Sequence, residues 1–279
     1  SKEAMGEARS FLAAAKHVGP LKVMTANLGA IEIPELRKMG DFLRDKAANV
    51  VALMASVNGE KITCPSVHGS QNFASALANS CNGAFATLAI EVGGETLKSY
   101  AESAGLLQSV NVSGLSSATG SFTAASDKNA LGWSGVGQYE DLVNPCAELT
   151  LMGCIAGGGS AATPRLLKSV TNASGIPAAH VSTDTSTIGW KESTCHEIKT
   201  LMHNNVTSKY SQNLDFGDLN VCAKSGTAEV GTSKPHAWFV GFVEDDAYPY
   251  AFVVVVENSG WGSTVAGGVA AALLKAACQ

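Results

Sequence analysis

Lys224-Ser225-Gly226-Thr227 places an ammonium group, two hydroxyls and a glycine on four consecutive positions. On a strand, the lysine supplies a positive charge and the hydroxyls supply donors for a carboxylate. Glycine lets a peptide backbone approach the strand edge. By itself such a tetrapeptide is more often an ordinary exposed strand, so its weight depends on what accompanies it. Upstream, Ser80-Cys81-Asn82 sets a hydroxyl and a carboxamide two residues apart within the helical stretch Ala76 to Phe85. Ser70-Gln71-Asn72 and Ser211-Gln212-Asn213 repeat the spacing in more polar surroundings and read as loops.

Other chemistries find less support. The net charge is −5, and no cluster of Lys and Arg marks a nucleic-acid surface. Seven cysteines form no CxxC pair, and the histidines show no HExxH spacing, so no metal site or cofactor is expected. Gly157-Gly158-Gly159 lacks the pattern of a phosphate-binding loop and reads as a turn, and Glu244-Asp245-Asp246 reads as a solvated turn. With 46% hydrophobic and 15% charged residues the composition is globular. The longest apolar runs, Phe252 to Val256 and Val265 to Leu274, fall well short of the ~18–20 residues that span a bilayer.

The elements that position these residues follow from hydrophobic periodicity. An amphipathic helix is expected over Ser1 to His17, then a hairpin of Leu21 to Thr25 with Ala30 to Ile33. Asp45 reads as the N-cap of a helix from Lys46 to Met54. Helices are expected over Phe73 to Val92 and Asn144 to Ala156, with loop from Ser113 to Val136. Leu219 to Val230, Ala237 to Val243 and Tyr250 to Glu257 alternate as strands joined by short turns, which argues for antiparallel pairing. An Ala-rich helix from Val265 to Cys278 closes the chain. The expected fold is therefore α/β: an antiparallel sheet of about five strands, two from the hairpin, flanked by helices and joined to a helical subdomain. One domain is expected, with 1–45 and 160–279 in the α/β part and 46–159 mainly helical.

Taken together, Ser80-Cys81-Asn82 and Lys224 to Glu229 resemble the Ser-x-Asn and Lys-Ser/Thr-Gly elements of penicillin-binding proteins. Gly137-Gln138, Val143-Asn144-Pro145, Ala156 to Gly159, Pro164 to Leu167 and the Trp238 to Phe242 strand resemble the same family in order and spacing, most nearly class B transpeptidase domains. The resemblance runs from about Gly40 to the C-terminus and implies a β-lactamase-like fold. It implies a cleft with Ser80 and Asn82 on one side and Lys224, Ser225, Gly226 and Thr227 on the other. Its ligand would be a peptidoglycan stem peptide ending in D-alanine, or a β-lactam. Its setting would be the extracytoplasmic face of a bacterial membrane, with any anchor outside this chain, and cell-division or elongation proteins would be its partners.

The family resemblance also implies a nucleophilic serine followed three residues later by a lysine, one helical turn away, where it can take the serine proton. No Ser, Thr or Cys in this sequence has Lys three positions on. Counting along the chain puts the nucleophile position at Lys46 and the base position at Asn49. A protonated lysine has no lone pair for attack, and an asparagine cannot act as a base. The expectation is a non-catalytic pseudo-transpeptidase that keeps its binding cleft. The alternatives are an active D,D-transpeptidase or carboxypeptidase in which Ser80 attacks with Lys224 as proton partner, or a protein-interaction module.

Overall fold

The computed structural model describes residues 2–18, 21–26, 33–46, 50–54, 62–138, 140–179 and 183–279. At the N-terminus, α1 (Lys2–Ala14), β1 (Lys16–Val18), β2 (Leu21–Ala26), α2 (Ile33–Lys46) and β3 (Val50–Met54) pack chiefly on one another. Strand β2 pairs antiparallel with β1 and parallel with β3. The expected hairpin partner is therefore displaced: Ile33 opens α2, and β2 turns back on β1 instead. Lys46, expected at the start of a helix, is the exposed last residue of α2. The β-branched pair Val50-Val51 favours the strand that follows. Asn49 lies outside the described residues.

The middle of the chain is mainly helical: α3 (Phe73–Ala78), α4 (Asn82–Val92) and α5 (Gly94–Ser103) follow in close succession. The stretch expected as loop carries a small hairpin, β4 (Asn111–Val112) with β5 (Leu115–Ser116), and helix α6 (Lys128–Ser134). Asp127 starts α6 by accepting from the amides of Asn129 and Ala130. Helix α7 (Pro145–Ala156) has Asn144 as N-cap and proline at its first position. It ends at Gly157, and Gly158 and Gly159 turn the chain with positive φ, as the glycine run suggested.

Short strands β6 (Ser160–Ala162), β7 (Val170–Thr171), β8 (Pro177–Ala179) and β9 (Thr185–Thr187) pair as β6 with β9 and β7 with β8. Helix α8 (Glu192–Ser208), for which the sequence reading offered no element, follows them. Then come β10 (Val221–Ala228), β11 (His236–Val243), β12 (Ala251–Val256) and α9 (Val265–Ala277).

Strands β10, β11 and β12 form an antiparallel sheet in that order, with Lys224 opposite Val240 and Thr227 opposite Ala237. Strands β1 to β3 form a separate sheet, so the hairpin expected to complete a five-stranded sheet does not join it. The pleat divides the core in two. Val221, Ala223, Ala237, Phe239 and Val254 pack with Ala266, Ala270 and Leu274 of α9. Cys222, Val240 and Phe242 pack with Leu151, Met152 and Ile155 of α7 and Met202 of α8. The sheet thus lies between α9 on one face and α7 with α8 on the other, an α/β sandwich.

Candidate functional site

Helix α3 sets the position of Ser80. Asn72 caps its start by accepting from Ser75 N at 2.8 Å. At its end the Ser80 amide donates to Leu77 O at 3.1 Å and the Cys81 amide donates to Ala76 O at 2.9 Å. These are the paired bonds of a Schellman motif, whose C′ residue must turn left-handed. Glycine is the usual occupant, but here it is Ser80, with φ +50°. The hydroxyl is therefore carried on an exposed turn between two helices, with α4 starting at Asn82. The helical period expected across Ser80 is broken there.

Strand β10 supplies the opposite wall. Lys224 lies on the face toward α7 and α8, and its Nζ donates to Ser80 Oγ at 2.6 Å and to Ser225 O at 2.8 Å. The two motifs, 144 residues apart in sequence, thus meet directly. Removal from water pushes the Lys224 ammonium down to about 8. At pH 7 it remains mostly charged, and just above neutrality a fraction of neutral amine appears beside a serine hydroxyl.

Alternation sends Ser225 and Thr227 to the opposite face of the strand from Lys224. Tyr210 OH donates to Ser225 Oγ at 3.0 Å and accepts from Ser225 N at 2.9 Å. Burial raises the Tyr210 phenol, keeping it a donor. Gly262 N donates to Thr227 Oγ1 at 3.1 Å. With an acceptor site already filled on each, the Ser225 and Thr227 hydroxyls keep their own protons to donate, which suits an anion. Asn82 is partly committed elsewhere: its Nδ2 donates to Thr63 O at 2.8 Å.

Among the described residues, the outer edge of β10 is lined by side chains rather than by another strand. Asn205 Nδ2 donates to Ala223 O at 3.0 Å. Gln138 Nε2 donates to Thr227 O at 2.9 Å, and its Oε1 accepts from Glu229 N at 3.3 Å. Strand parity makes the amides of residues 225, 227 and 229 all face outward. Among the described residues, no side chain bonds the Thr227 amide.

Residues 53–276 match the penicillin binding protein transpeptidase domain family. The chain belongs to this family. It is 30% identical over 220 residues to the peptidoglycan D,D-transpeptidase PbpA of Mycobacterium tuberculosis, covering 73% of this chain and 43% of that protein. It is likewise 30% identical over 203 residues to PbpA of Mycolicibacterium smegmatis, covering 71% and 41%. The chain thus spans less than half the length of these relatives. The crystal structure of PBPA from M. tuberculosis superposes with a TM-score of 0.69 at 26% identity, over 77% of this chain and 50% of that one. The D,D-transpeptidase domain from Eggerthella lenta shares the fold, with a TM-score of 0.68 at 22% identity, over 76% and 54%.

Within this transpeptidase domain, Lys224 meets Ser80 from one face of β10, while the Ser225 and Thr227 hydroxyls lie on the other face. Lys46, expected at the nucleophile position, is exposed at the C-terminal end of α2 and precedes the family match. The expectation set it at the start of a helix, whereas it closes one. Sequence reasoning gave no site role to four residues that bond β10 or its Thr227 hydroxyl: Gln138, Asn205, Tyr210 and Gly262. Only Gln138 carried a signal, through the Gly137-Gln138 pair in the family resemblance.

Proposed function

We propose that this penicillin-binding-protein transpeptidase-family domain binds D-alanine-terminated stem peptides in the groove between Ser80 and β10 without forming an acyl-enzyme. Ser225 and Thr227 donate to the terminal carboxylate, and Lys224 supplies positive charge while holding Ser80. Ser80 and Asn82 offer polar groups to the peptide amides, Gly226 leaves room at the strand edge, and the Thr227 amide meets a peptide carbonyl. The observation that carries this proposal is the 2.6 Å contact between Lys224 Nζ and Ser80 Oγ; on the next positions of the same strand, the Ser225 and Thr227 hydroxyls are left as donors. The non-acylating part rests on the sequence, where no Ser, Thr or Cys has a lysine three residues on.

The chain then acts as one domain, with a mainly helical part and a sheet-bearing part facing each other across the groove. Its setting is the extracytoplasmic face of a bacterial membrane, in peptidoglycan metabolism alongside cell-division or elongation proteins. No helix among the described residues is long and apolar enough to cross a membrane.

A second reading has its own observation. A lysine lowered to about 8 and 2.6 Å from a serine oxygen has the parts of a nucleophile and its base. In that case Ser80 attacks, and the chain is an active D,D-transpeptidase or carboxypeptidase.

Titration with a D-Ala-D-Ala peptide, together with incubation with a labelled β-lactam and peptide mapping, separates these readings. Reversible peptide binding without covalent label is the expected result. Label on Ser80 establishes the second reading, and neither signal leaves an interaction module. Lys224→Ala is expected to weaken peptide binding by about tenfold or more, the scale of one hydrogen bond to a charged group. Unchanged affinity would remove Lys224 from the site.

A further inference from the structure

Beneath the Ser80–Asn82 turn sit three groups that the binding proposal does not use. Cys64 Sγ lies 3.7 Å from Cys81 Sγ. A ring nitrogen of His68 completes a cluster whose reactive atoms all lie within 4.8 Å of one another. His68 Nε2 lies 3.1 Å from Ser66 Oγ, while its Nδ1 is buried without a hydrogen-bond partner. The cluster is joined to the turn at two further points: Gly83 N donates to Cys64 Sγ at 3.5 Å, and Asn82 Nδ2 donates to Thr63 O at 2.8 Å. Cys81 itself separates Ser80 from Asn82 in sequence.

We propose that Cys64 and Cys81 are a disulfide-forming pair that locks the Ser80–Asn82 turn to the segment before α3. The sulfurs need to approach by under 2 Å to reach bonding distance, a movement that side-chain rotation can supply. A metal site is the less favoured use of the same atoms: a closed structural zinc site takes four ligands, and this cluster supplies three among the described residues.

A small-molecule disulfide serves as oxidant. Cys64, half-buried where Cys81 is buried, is the more accessible thiol. It loses its proton, with the His68 ring close by as acceptor, and its thiolate attacks one sulfur of the oxidant. A mixed disulfide forms and one thiol leaves. Cys81 then loses its proton and attacks Cys64 Sγ, forming the Cys64–Cys81 bond and expelling the second thiol. Two protein thiols give up two electrons, and the oxidant takes them, leaving as two thiols that carry the protons. Burial raises the Cys64 thiol, so the first step speeds up with rising pH.

The lock bears on Ser80 because the turn is held otherwise only by hydrogen bonds, with a serine in a conformation usually given to glycine. A covalent tie to its neighbour restricts opening of that turn.

The test incubates the whole chain with oxidised glutathione, alkylates the remaining thiols and maps the unreduced digest by mass spectrometry. The expected result is a linked peptide pair containing Cys64 and Cys81, lost on reduction and absent from Cys64→Ser. Amide exchange across residues 76–83 should slow by about tenfold or more on oxidation of the native chain, and should not change in Cys64→Ser. Both thiols alkylated after oxidation, or cross-links only to other cysteines, would overturn the proposal. So would stoichiometric zinc that protects both thiols in the untreated protein. Cys64→Ser is preferred to a change at buried Cys81, and circular dichroism confirms that it folds. No peptide ligand enters the experiment, so its outcome is independent of whether the groove binds stem peptides.

Discussion

Replacing Ser80 separates what its hydroxyl contributes from what its backbone costs. Both Ser80→Ala and Ser80→Gly delete the oxygen that accepts from Lys224 Nζ. A hydrogen bond to a charged group contributes about 1.5–3 kcal/mol, and the exposure of Ser80 places this one near the lower end, about 1.5 kcal/mol. Alanine keeps the Cβ at φ +50° and should be destabilised by roughly that amount. Glycine removes a left-handed strain of about 1–2 kcal/mol and returns about 0.4–1 kcal/mol through its freer unfolded chain. Ser80→Gly should therefore be about 0.5–1 kcal/mol more stable than Ser80→Ala, although it removes more of the side chain. Urea unfolding at pH 7 measures this directly, provided the three proteins share one slope with denaturant. The same two variants should lose peptide affinity together, since both lack the hydroxyl. An alanine variant as stable as the glycine variant would show that the Schellman turn does not govern position 80.

Lys224 and Glu148 give the stability profile two opposed slopes. Burial pushes Glu148 up to about 7, so the folded state holds a proton that the unfolded state releases above about 4.5, and stability should fall as pH rises between those values. Lys224 is lowered from 10.5 to about 8, so between those values the unfolded state binds more protons and stability should rise with pH. Thermal melts across pH 4 to 11 test both, with Glu148→Gln expected to make the first slope shallower and leave the second; Asp141, raised by burial to about 6, supplies the slope that remains. Tyr210→Phe leaves the Ser225 amide without its acceptor and should cost about 1–3 kcal/mol in urea unfolding, with weaker peptide binding. Gly262→Ala drives a Cβ into Gly226 O and to 2.6 Å from Trp238 O, so it should cost several kcal/mol (~3 or more) and shift β10 chemical shifts around Thr227.

The three C-terminal strands and their pairing were legible because Trp238 to Val243 and Phe252 to Val256 are β-branched and aromatic runs with turns between them. Ser80 and Lys224 were legible as partners only through the order of motifs. The left-handed turn at Ser80 was not, since no glycine or proline marks it. The N-terminal segment misled because Asp45 imitates an N-cap while two valines favour a strand. Helix α8 went unread, although Cys195, Met202 and Val206 form its buried stripe. Gln138 bonds strand β10 across 89 and 91 residues, a distance at which local pattern carries no information.

An unpaired strand invites a neighbour's backbone to extend the sheet, which is a route to aggregation. Along β10 that invitation is withdrawn one group at a time: Asn205, Tyr210, Lys224 and Gln138 occupy backbone positions where a foreign strand would need to dock. What stays open at Thr227 is a foothold one amide wide. A guest held there gains little from a long main chain and must be recognised by its terminus, so lengthening a peptide away from its carboxylate should add little affinity.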